Sequence, residues 1–168
     1  MEARSESQSR RAKDRTTVER TSERELVVTR TINGPARLVF EAWTKPELLQ
    51  KWWVPKSFGV TLLSCEADVR VGGQYRFVFA HGDSQVAFFG KYLEVTPHSR
   101  LVWTNEEAEE GAVTTLTLEE KAGKTLVILR DLYPSKEALD AAMASGEKSG
   151  MGETFDQLEE LLVALGAS

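Results

Sequence analysis

The sequence is poor in the residues on which several classes of protein depend. It has a single cysteine, Cys65, so a disulfide within the chain is impossible and a metal site built on several thiolates is excluded. Its two histidines, His81 and His98, lack the His-x-x-x-His spacing of a metal site. No apolar run approaches the roughly 18 residues of a membrane-spanning helix. We therefore expect no metal, no cofactor and no membrane span.

Catalytic signatures are also missing. No serine stands in a Gly-x-Ser-x-Gly context, and neither Gly72-Gly73 nor the segment from Gly146 to Gly152 spells a phosphate loop or a dinucleotide fingerprint. No paired acid and base stands out. The sequence therefore favours a binding protein over an enzyme.

Charge and apolar residues are unevenly distributed. The net charge is −5, and an acidic domain repels phosphate backbones, so we expect no nucleic-acid partner. Residues 1–21 are rich in arginine and contain almost no apolar residue besides Val18. Such a segment cannot bury enough surface to offset the entropy of ordering, and we predict a disordered tail there. It has no apolar segment of a secretory signal, so we expect a cytoplasmic protein.

Residues 22–168 fit a single domain with a clear order of elements. A strand rich in β-branched residues is predicted from Glu25 to Ile32, and two short helices follow, beginning at Pro35 and Thr44. Turn signals then separate six further strands, predicted at Val60–Ala67, Gln74–His81, Val86–Thr96, Leu101–Asn105, Val113–Glu120 and Thr125–Leu132.

Two helices complete the chain. Ser135 is predicted to cap one that Gly146 ends, and the last runs from Glu153 to Leu165. Its apolar stripe is predicted to consist of Phe155, Leu158, Leu161, Leu162 and Leu165.

This order of elements predicts an α+β fold. Consecutive strands without intervening helices pair as antiparallel hairpins. One face of such a sheet must be covered, and the last helix is the only element long enough to cover it. We therefore expect a helix-grip fold, in which a curved antiparallel sheet wraps around a long C-terminal helix and two short helices follow the first strand.

Several strings, in this order and spacing, resemble the SRPBCC superfamily (START-like, Bet v-type). Within it, the chain is most similar to the family of heat-shock-protein-90 ATPase activator homologues. The resemblance covers Glu25 to Leu165, and the last helix departs from it, since many relatives have Gly-Trp where this chain has Gly152-Glu153. The strings that carry it are Val39-Phe40-Glu41-Ala42-Trp43-Thr44, Pro46-Glu47-Leu48-Leu49, Trp52-Trp53, Asp68-x-Arg70-x-Gly72-Gly73-x-Tyr75-x-Phe77 and Gly90-x-Tyr92-x-Glu94-Val95-x-Pro97.

The resemblance implies a cavity between the concave sheet and the long helix. It leaves the function open, because the superfamily includes lipid and sterol carriers, hormone receptors, polyketide cyclases and the chaperone activator. A role in the stress response is implied only by the activator.

Aromatic residues are the main candidates for a ligand site. Tyr75, Phe77 and Phe79 alternate along one strand and so share one face of the sheet. They could line a cavity for an apolar or flat ligand, or simply pack beneath the C-terminal helix. On the next strand Phe88 and Tyr92 face one side and Phe89, Leu93 and Val95 the other; the sequence leaves open which side is inward, because one bulge reverses the answer.

The polar candidates have alternatives as well. Arg130 and Asp131 could place one polar group in the cavity, or Arg130 could point to solvent. Asp68 and Arg70 could form a local ion pair at a structural turn, or Asp68 could be an active-site carboxylate. The segment Glu147–Gly152 could gate the cavity or merely link two helices. The candidate ligand-binding residues are Trp43, Trp52, Tyr75, Phe77, Phe79, Phe88, Tyr92, Trp103, Arg130, Met151 and Phe155.

Three functions follow as hypotheses. The first is a small-molecule-binding domain, monomeric or weakly dimeric, that holds an apolar or aromatic ligand without catalysis. The second, implied by the resemblance alone, is a protein-interaction module with a chaperone partner. The third is an enzyme of the polyketide-cyclase kind, for which loss of product formation in Arg130→Ala is the expected sign.

Overall fold

The strands follow the predicted order closely. The computed structural model describes residues 16–54, 56–107, 111–145 and 151–166. The strands are β1 (Thr17–Arg20), β2 (Glu25–Asn33), β3 (Thr61–Ala67), β4 (Gln74–His81), β5 (Ser84–Thr96), β6 (Arg100–Thr104), β7 (Val113–Lys121) and β8 (Lys124–Leu132).

Four α-helices accompany the strands in the described part of the chain. They are α1 (Ala36–Thr44), α2 (Pro46–Leu49), α3 (Lys136–Ser145) and α4 (Met151–Ala164), with a 3-10 turn at Lys56–Phe58. The last helix thus begins two residues earlier than predicted and ends one residue earlier. Of the segment considered as a gate, Met151 and Gly152 lie in α4, and residues 147–150 lie outside the described residues.

All eight strands form one antiparallel sheet. Its order is β1-β2-β8-β7-β6-β5-β4-β3. Consecutive strands pair as hairpins except β2 and β3, which the short helices separate, and β2 pairs with β8, so that the first and last strands of the predicted domain are neighbours. Helix α4 packs against β2 and α1. The predicted helix-grip α+β fold is confirmed.

Two of the hairpins are joined by two-residue turns. His81 pairs with Ser84, so Gly82 and Asp83 form a two-residue turn. Ala122 and Gly123 both have positive φ, 55° and 80°, as a turn of this length between right-twisted strands requires.

Residues 68–73, in which the sequence indicated a structural turn, form a turn in the structure. Gly72 has φ +85°, and a Cβ on Gly73 would lie 1.9 Å from the carbonyl oxygen of Asp68, so glycine is required at both positions. Arg70 Nε lies 2.8 Å from Asp68 Oδ2, and both side chains are exposed. An exposed pair of this kind adds about 0–1 kcal/mol at most.

Strand β1 corrects the predicted extent of the disordered tail. Its residues, expected within the tail, pair with β2 in a register that sets Val18 opposite Val28. Arg20 further anchors the strand through an Nη1–Oδ1 distance of 2.7 Å to Asp140 on α3. The prediction counted apolar side chains, whereas this strand is held by main-chain pairing and one ion pair. The first 15 residues, also assigned to the tail, lie outside the described residues.

The core lies between the inner face of the sheet and the helices. The predicted stripe of α4 faces it at Phe155, Leu158, Leu161 and Leu162, whereas Leu165 is 41% exposed just beyond the helix. A smaller apolar cluster, which includes Leu26, Tyr133 and Leu139, fixes α3 beside β2 and β8.

Candidate functional site

A pocket of about 460 Å³ opens beside the main core. Strands β4 to β8 supply its wall on the sheet side, and α1, α2, residues 53–60 and the start of α4 supply the other side. Small-molecule sites in proteins are concave, mostly apolar and roughly 300–1,000 Å³ in volume. The pocket has the dimensions of such a site.

The alternating rings of β4 form one wall. Tyr75, Phe77 and Phe79 all line the pocket and are each less than a tenth exposed. The ring centres of Tyr75 and Phe77 are 5.1 Å apart. The period-two pattern therefore correctly placed these three side chains on one inward face.

A bulge in β5 decides the orientation that the sequence left open. Phe88 and Tyr92 line the pocket, and Tyr92 pairs with Trp103. The register then shifts between Tyr92 and Glu94, so Val95 pairs with Leu101 and packs on the core, while Leu93 is 44% exposed. The inward face thus changes from even to odd positions within one strand.

The tryptophans divide between pocket and core. Trp43, Trp103 and Met151 line the pocket, whereas Trp52 and Phe155 are fully buried in the core and do not. Trp52 Nε1 donates a hydrogen bond to the Ala42 carbonyl oxygen at 2.9 Å. Trp43 Nε1 is buried and has no hydrogen-bond partner within the described residues.

Arg130 lies on the other face of the sheet. The inward positions of β8 are Val127, Leu129 and Asp131, and the alternation points Arg130 to solvent, where it is exposed and lies 3.8 Å from Glu25. Its inclusion among the pocket residues was therefore wrong. The polar group that β8 places in the pocket is its neighbour Asp131.

Asp131 accepts a hydrogen bond at the polar end of the pocket. The carboxylate is 3% exposed. Thr114 Oγ1 donates to Asp131 Oδ1 at 2.7 Å, and Asn105 Nδ2 donates to Thr114 Oγ1 at 2.9 Å and to the Ala112 carbonyl oxygen at 2.8 Å. Asn105 and Thr114 were not predicted, although Thr114 shares the inward alternation of Leu116 and Leu118 on β7.

Two tyrosine side chains, Tyr75 and Tyr92, line the pocket. Tyr75 Oη donates to the Thr104 carbonyl oxygen at 2.6 Å. Burial raises the pKa of Tyr75 and Tyr92 well above the usual tyrosine range, and the charge of Glu107 adds to the rise at Tyr75. A phenolate base is therefore not available in this pocket.

Exposed apolar side chains surround the opening. Phe58, Val86 and Phe88 line the pocket and are 45%, 47% and 40% exposed. His81 also lines it and is exposed. The pocket therefore has exposed apolar side chains at its opening as well as buried ones in its walls.

Side chains of helix α4 hydrogen-bond to the chain segment just before Phe58 of the rim. Gln157 Nε2 donates to the carbonyl oxygens of Trp52 and Val54 at 3.0 and 2.9 Å, and its Oε1 accepts from the Lys56 amide at 2.9 Å. Glu153 accepts from the Ser57 amide at 3.0 Å and from its hydroxyl. We refer to these contacts of Glu153 and Gln157 as the α4 clamp.

A match to a known family identifies the domain. The family model described as Activator of Hsp90 ATPase homolog 1-like protein matches residues 33–163. The chain belongs to this family. No curated protein matches the chain.

Crystal structures of bacterial proteins share the fold of this Hsp90-activator-like domain. One from Nitrosomonas europaea has a TM-score of 0.79 at 29% identity, covering 89% of this chain and all (100%) of that one. One from Chromobacterium violaceum is 30% identical with a TM-score of 0.68, covering 82% and 96%. One from Rhodobacter sphaeroides has a TM-score of 0.82 at 24% identity, covering 89% and 99%, and this likeness concerns the fold alone.

Other kinds of site lack support in this member of the family. The described residues contain no group of three or more His, Cys, Asp or Glu side chains placed to hold a metal ion. None of the helices found there is long and apolar enough to span a membrane. Cys65 is half-buried against the core, and burial together with the charge of Glu47 raises its thiol pKa to about 11.

Proposed function

We propose that this protein binds apolar or aromatic small molecules in the pocket between the sheet and α4. The observation that carries the proposal is the open volume of about 460 Å³ behind aromatic walls. Protein interiors are packed as densely as organic crystals, and few of their voids are larger than a water molecule. An opening of this size is far larger than packing defects, and a ligand would fill it.

The character of the walls supports an apolar and flat ligand. Tyr75, Phe77 and Phe79 offer neighbouring ring faces and edges, and aromatic contacts add roughly 0.5–1.5 kcal/mol per pair beyond the burial of area. The exposed rings of Phe58 and Phe88 at the opening extend this surface towards solvent. Membership of a family with the SRPBCC-type fold agrees with the proposal, because folds of this type often bind ligands.

The proposed activity is binding without turnover, in the cytoplasm. The hypothesis of a polyketide-cyclase-like enzyme depends on Arg130 as the group that orients the substrate. Arg130 lies on the solvent face. The pocket retains hydrogen-bonding groups that can orient a ligand, and no pair among the described residues that line it is arranged as a general acid and base.

Filling the pocket tests the proposal. Leu129 lines the pocket and is 4% exposed, whereas Leu132, three residues later on the same strand, is 44% exposed on the other face. In Leu129→Trp, the larger ring should occupy the pocket and lower the affinity for an aromatic ligand at least tenfold, while Leu132→Trp should bind as the parent does. Calorimetric titration gives the affinities, and circular dichroism checks that both variants are folded. Equal binding by the two folded variants contradicts the proposal.

The family membership favours one second candidate, an interaction with the Hsp90 chaperone. The observation is the match of the activator family over residues 33–163. Co-precipitation with purified Hsp90 tests it, using Arg130→Glu to change the outer surface and Leu129→Trp to change the pocket. Loss of binding in Arg130→Glu alone would favour the chaperone, and loss in Leu129→Trp alone would favour a role for the pocket.

A further inference from the structure

The indole N–H of Trp43 is an unused hydrogen-bond donor in the wall of the pocket. Trp43 lies near the end of α1, lines the pocket and is 3% exposed. Its Nε1 atom is buried and has no hydrogen-bond partner within the described residues. Native proteins pair the large majority of their buried polar groups, so an exception calls for an explanation.

The aromatic side chains that pack on Trp43 do not supply an acceptor. The ring centres of Trp52, Trp53 and Phe155 lie 4.6, 6.3 and 6.1 Å from that of Trp43. An indole is a hydrogen-bond donor only, and a phenyl ring has no polar atom. These rings offer an N–H···π contact at best, which is second-order beside a bond to oxygen. A full hydrogen bond for this donor therefore needs an oxygen that the aromatic cluster does not contain.

The pocket is the place from which such an oxygen can come. Side chains in a close-packed interior are held on all sides, whereas Trp43 borders an open volume of about 460 Å³. The nitrogen itself is covered by its neighbours in the structure. A small turn of the ring towards the open volume needs little repacking and would bring the N–H to a bound ligand.

An unpaired buried donor makes binding sensitive to the chemistry of the ligand. A ligand oxygen that accepts from Trp43 Nε1 removes the cost of the unsatisfied N–H. A hydrocarbon of the same shape leaves the N–H unpaired, and a ligand that presents its own N–H there brings two donors together. Ligands with a hydrogen-bond acceptor therefore gain most at this position.

We propose that the pocket binds flat aromatic molecules that carry a hydrogen-bond acceptor, such as a ketone oxygen, and that Trp43 Nε1 donates to this oxygen. Trp43 is thus the residue that determines the preference for an acceptor. The inference rests on the proposed binding function and specifies the ligand class.

Three probes with the same flat three-ring body test the preference. They are 9-fluorenone, fluorene and carbazole, which carry C=O, CH₂ and N–H at the same position. Equilibrium dialysis of the whole protein against low micromolar probe gives the affinities. In Trp43→Phe, the affinity for fluorenone relative to carbazole should fall about threefold to tenfold, as expected for the loss of one neutral hydrogen bond. The hydration of each probe is the same for parent and variant and cancels in this ratio.

A matched variant controls for the change of ring. Trp53→Phe makes the same substitution at a partly buried tryptophan of the same wall and should leave the ratio of affinities unchanged. Circular dichroism checks that both variants are folded.

A second measurement needs only the parent protein, so it decides even if Trp43→Phe does not fold. The indole N–H of Trp43 has its own signal in a two-dimensional amide NMR spectrum and is assigned through its connection to the Trp43 backbone. Fluorenone should move the proton of this signal downfield, as a new hydrogen bond to oxygen does, and fluorene should not.

The outcomes distinguish this inference from the proposal beneath it. A ratio that falls in Trp43→Phe alone, together with the downfield shift, supports both. An unchanged ratio in folded Trp43→Phe, an equal fall in Trp53→Phe, or a Trp43 indole signal that fluorenone does not move downfield while it binds overturns the inference and leaves ligand binding standing. No binding by any of the three probes overturns the inference and counts against the binding function as well.

Discussion

Two neighbouring tryptophans, Trp43 in the pocket wall and Trp52 in the core, differ in the hydrogen bonding of their indole N–H groups. Trp43 and Trp52 contact each other edge to face, with ring centres 4.6 Å apart. Both are nearly inaccessible to solvent, but within the described part of the chain the indole N–H of Trp52 has a partner, the Ala42 carbonyl oxygen, and that of Trp43 has none. Identical substitutions at the two positions therefore compare a hydrogen-bonded indole with an unsatisfied one.

Trp52→Phe should destabilise the protein more than Trp43→Phe. Both variants lose the same part of a ring, and only the first leaves a buried carbonyl oxygen without the indole donor. The difference in the free energy of unfolding should be about 1–3 kcal/mol, the cost of leaving a buried polar group unsatisfied. Urea denaturation of the two variants measures it. Equal destabilisation would show that the Trp52 hydrogen bond contributes nothing measurable.

At the level of single residues, the sequence predicted orientation wherever alternation was uninterrupted. On β4 it placed Tyr75, Phe77 and Phe79 correctly, because side chains on a regular strand alternate without exception. The pair Arg130 and Asp131 was recognised as unusual, but choosing between them required the register of β8. Asn105 and Thr114 were missed, since a polar residue that hydrogen-bonds to a buried carboxylate looks like any other strand polar residue in the sequence.

Among the elements, α4 is attached to the sheet by charge as well as by its apolar stripe. The Arg30 side chain on β2 is 5% exposed and contacts Asp156 and Glu159 of α4, at 2.7 Å from Asp156 Oδ1. These two carboxylates are 54% and 30% exposed. The guanidinium is therefore the buried partner, and its carboxylates can reach water.

This asymmetry predicts which side of the ion pair is costly to remove. Replacing both acids, as Asp156→Asn with Glu159→Gln, strands a buried cation and should lower the free energy of unfolding by about 2–4 kcal/mol. Arg30→Met should cost less, because an apolar side chain fits the buried position and the freed carboxylates are solvated. Glu94→Gln, which breaks the exposed pair with Arg100, is the control and should cost under about 1 kcal/mol. Urea denaturation decides, and a milder effect of the double variant than of Arg30→Met would contradict this reasoning.

The α4 clamp predicts a dependence of stability on pH. Hydrogen bonds from the Ser57 side chain and amide lower the pKa of Glu153. Its contribution is therefore fully present above the unfolded value of about 4.3–4.5 and is lost as the pH falls through the lower folded value. Glu153→Gln should be less stable than the parent at pH 6, and the difference should shrink on acidification below pH 4 or so. Urea midpoints at the two pH values test this, and a difference that does not change with pH would contradict it.

The elements themselves were predictable to the extent that local patterns determine them. Hairpin turns, helix stripes and most strand limits follow from glycine placement and apolar period. The bulge in β5 and the pairing of β1 do not follow from local patterns, because both depend on hydrogen-bond pairing with a neighbouring strand. The order of these elements was enough to predict the helix-grip architecture, and the resemblance of the sequence strings agreed with it.

For the molecule as a whole, the pairing of β2 with β8 and the packing of α4 on β2 leave the far part of the sheet less covered. The inner faces of β4 and β5 there carry aromatic side chains that border the pocket rather than a helix. Membership of the Hsp90-activator-like family is compatible with either a ligand or a protein partner. Direct observation of the pocket under titration separates the two.

The most direct measurement is a two-dimensional amide NMR titration of the isotope-labelled protein with fatty acids, sterols, flavonoids, polyketide mimics and aromatic amines. We predict saturable shifts that cluster on Gln74–His81 and at the start of α4, with the largest shifts for a flat ligand. Shifts confined to the outer face near Arg130, or no saturable shift with any member of the panel, would contradict binding in the pocket.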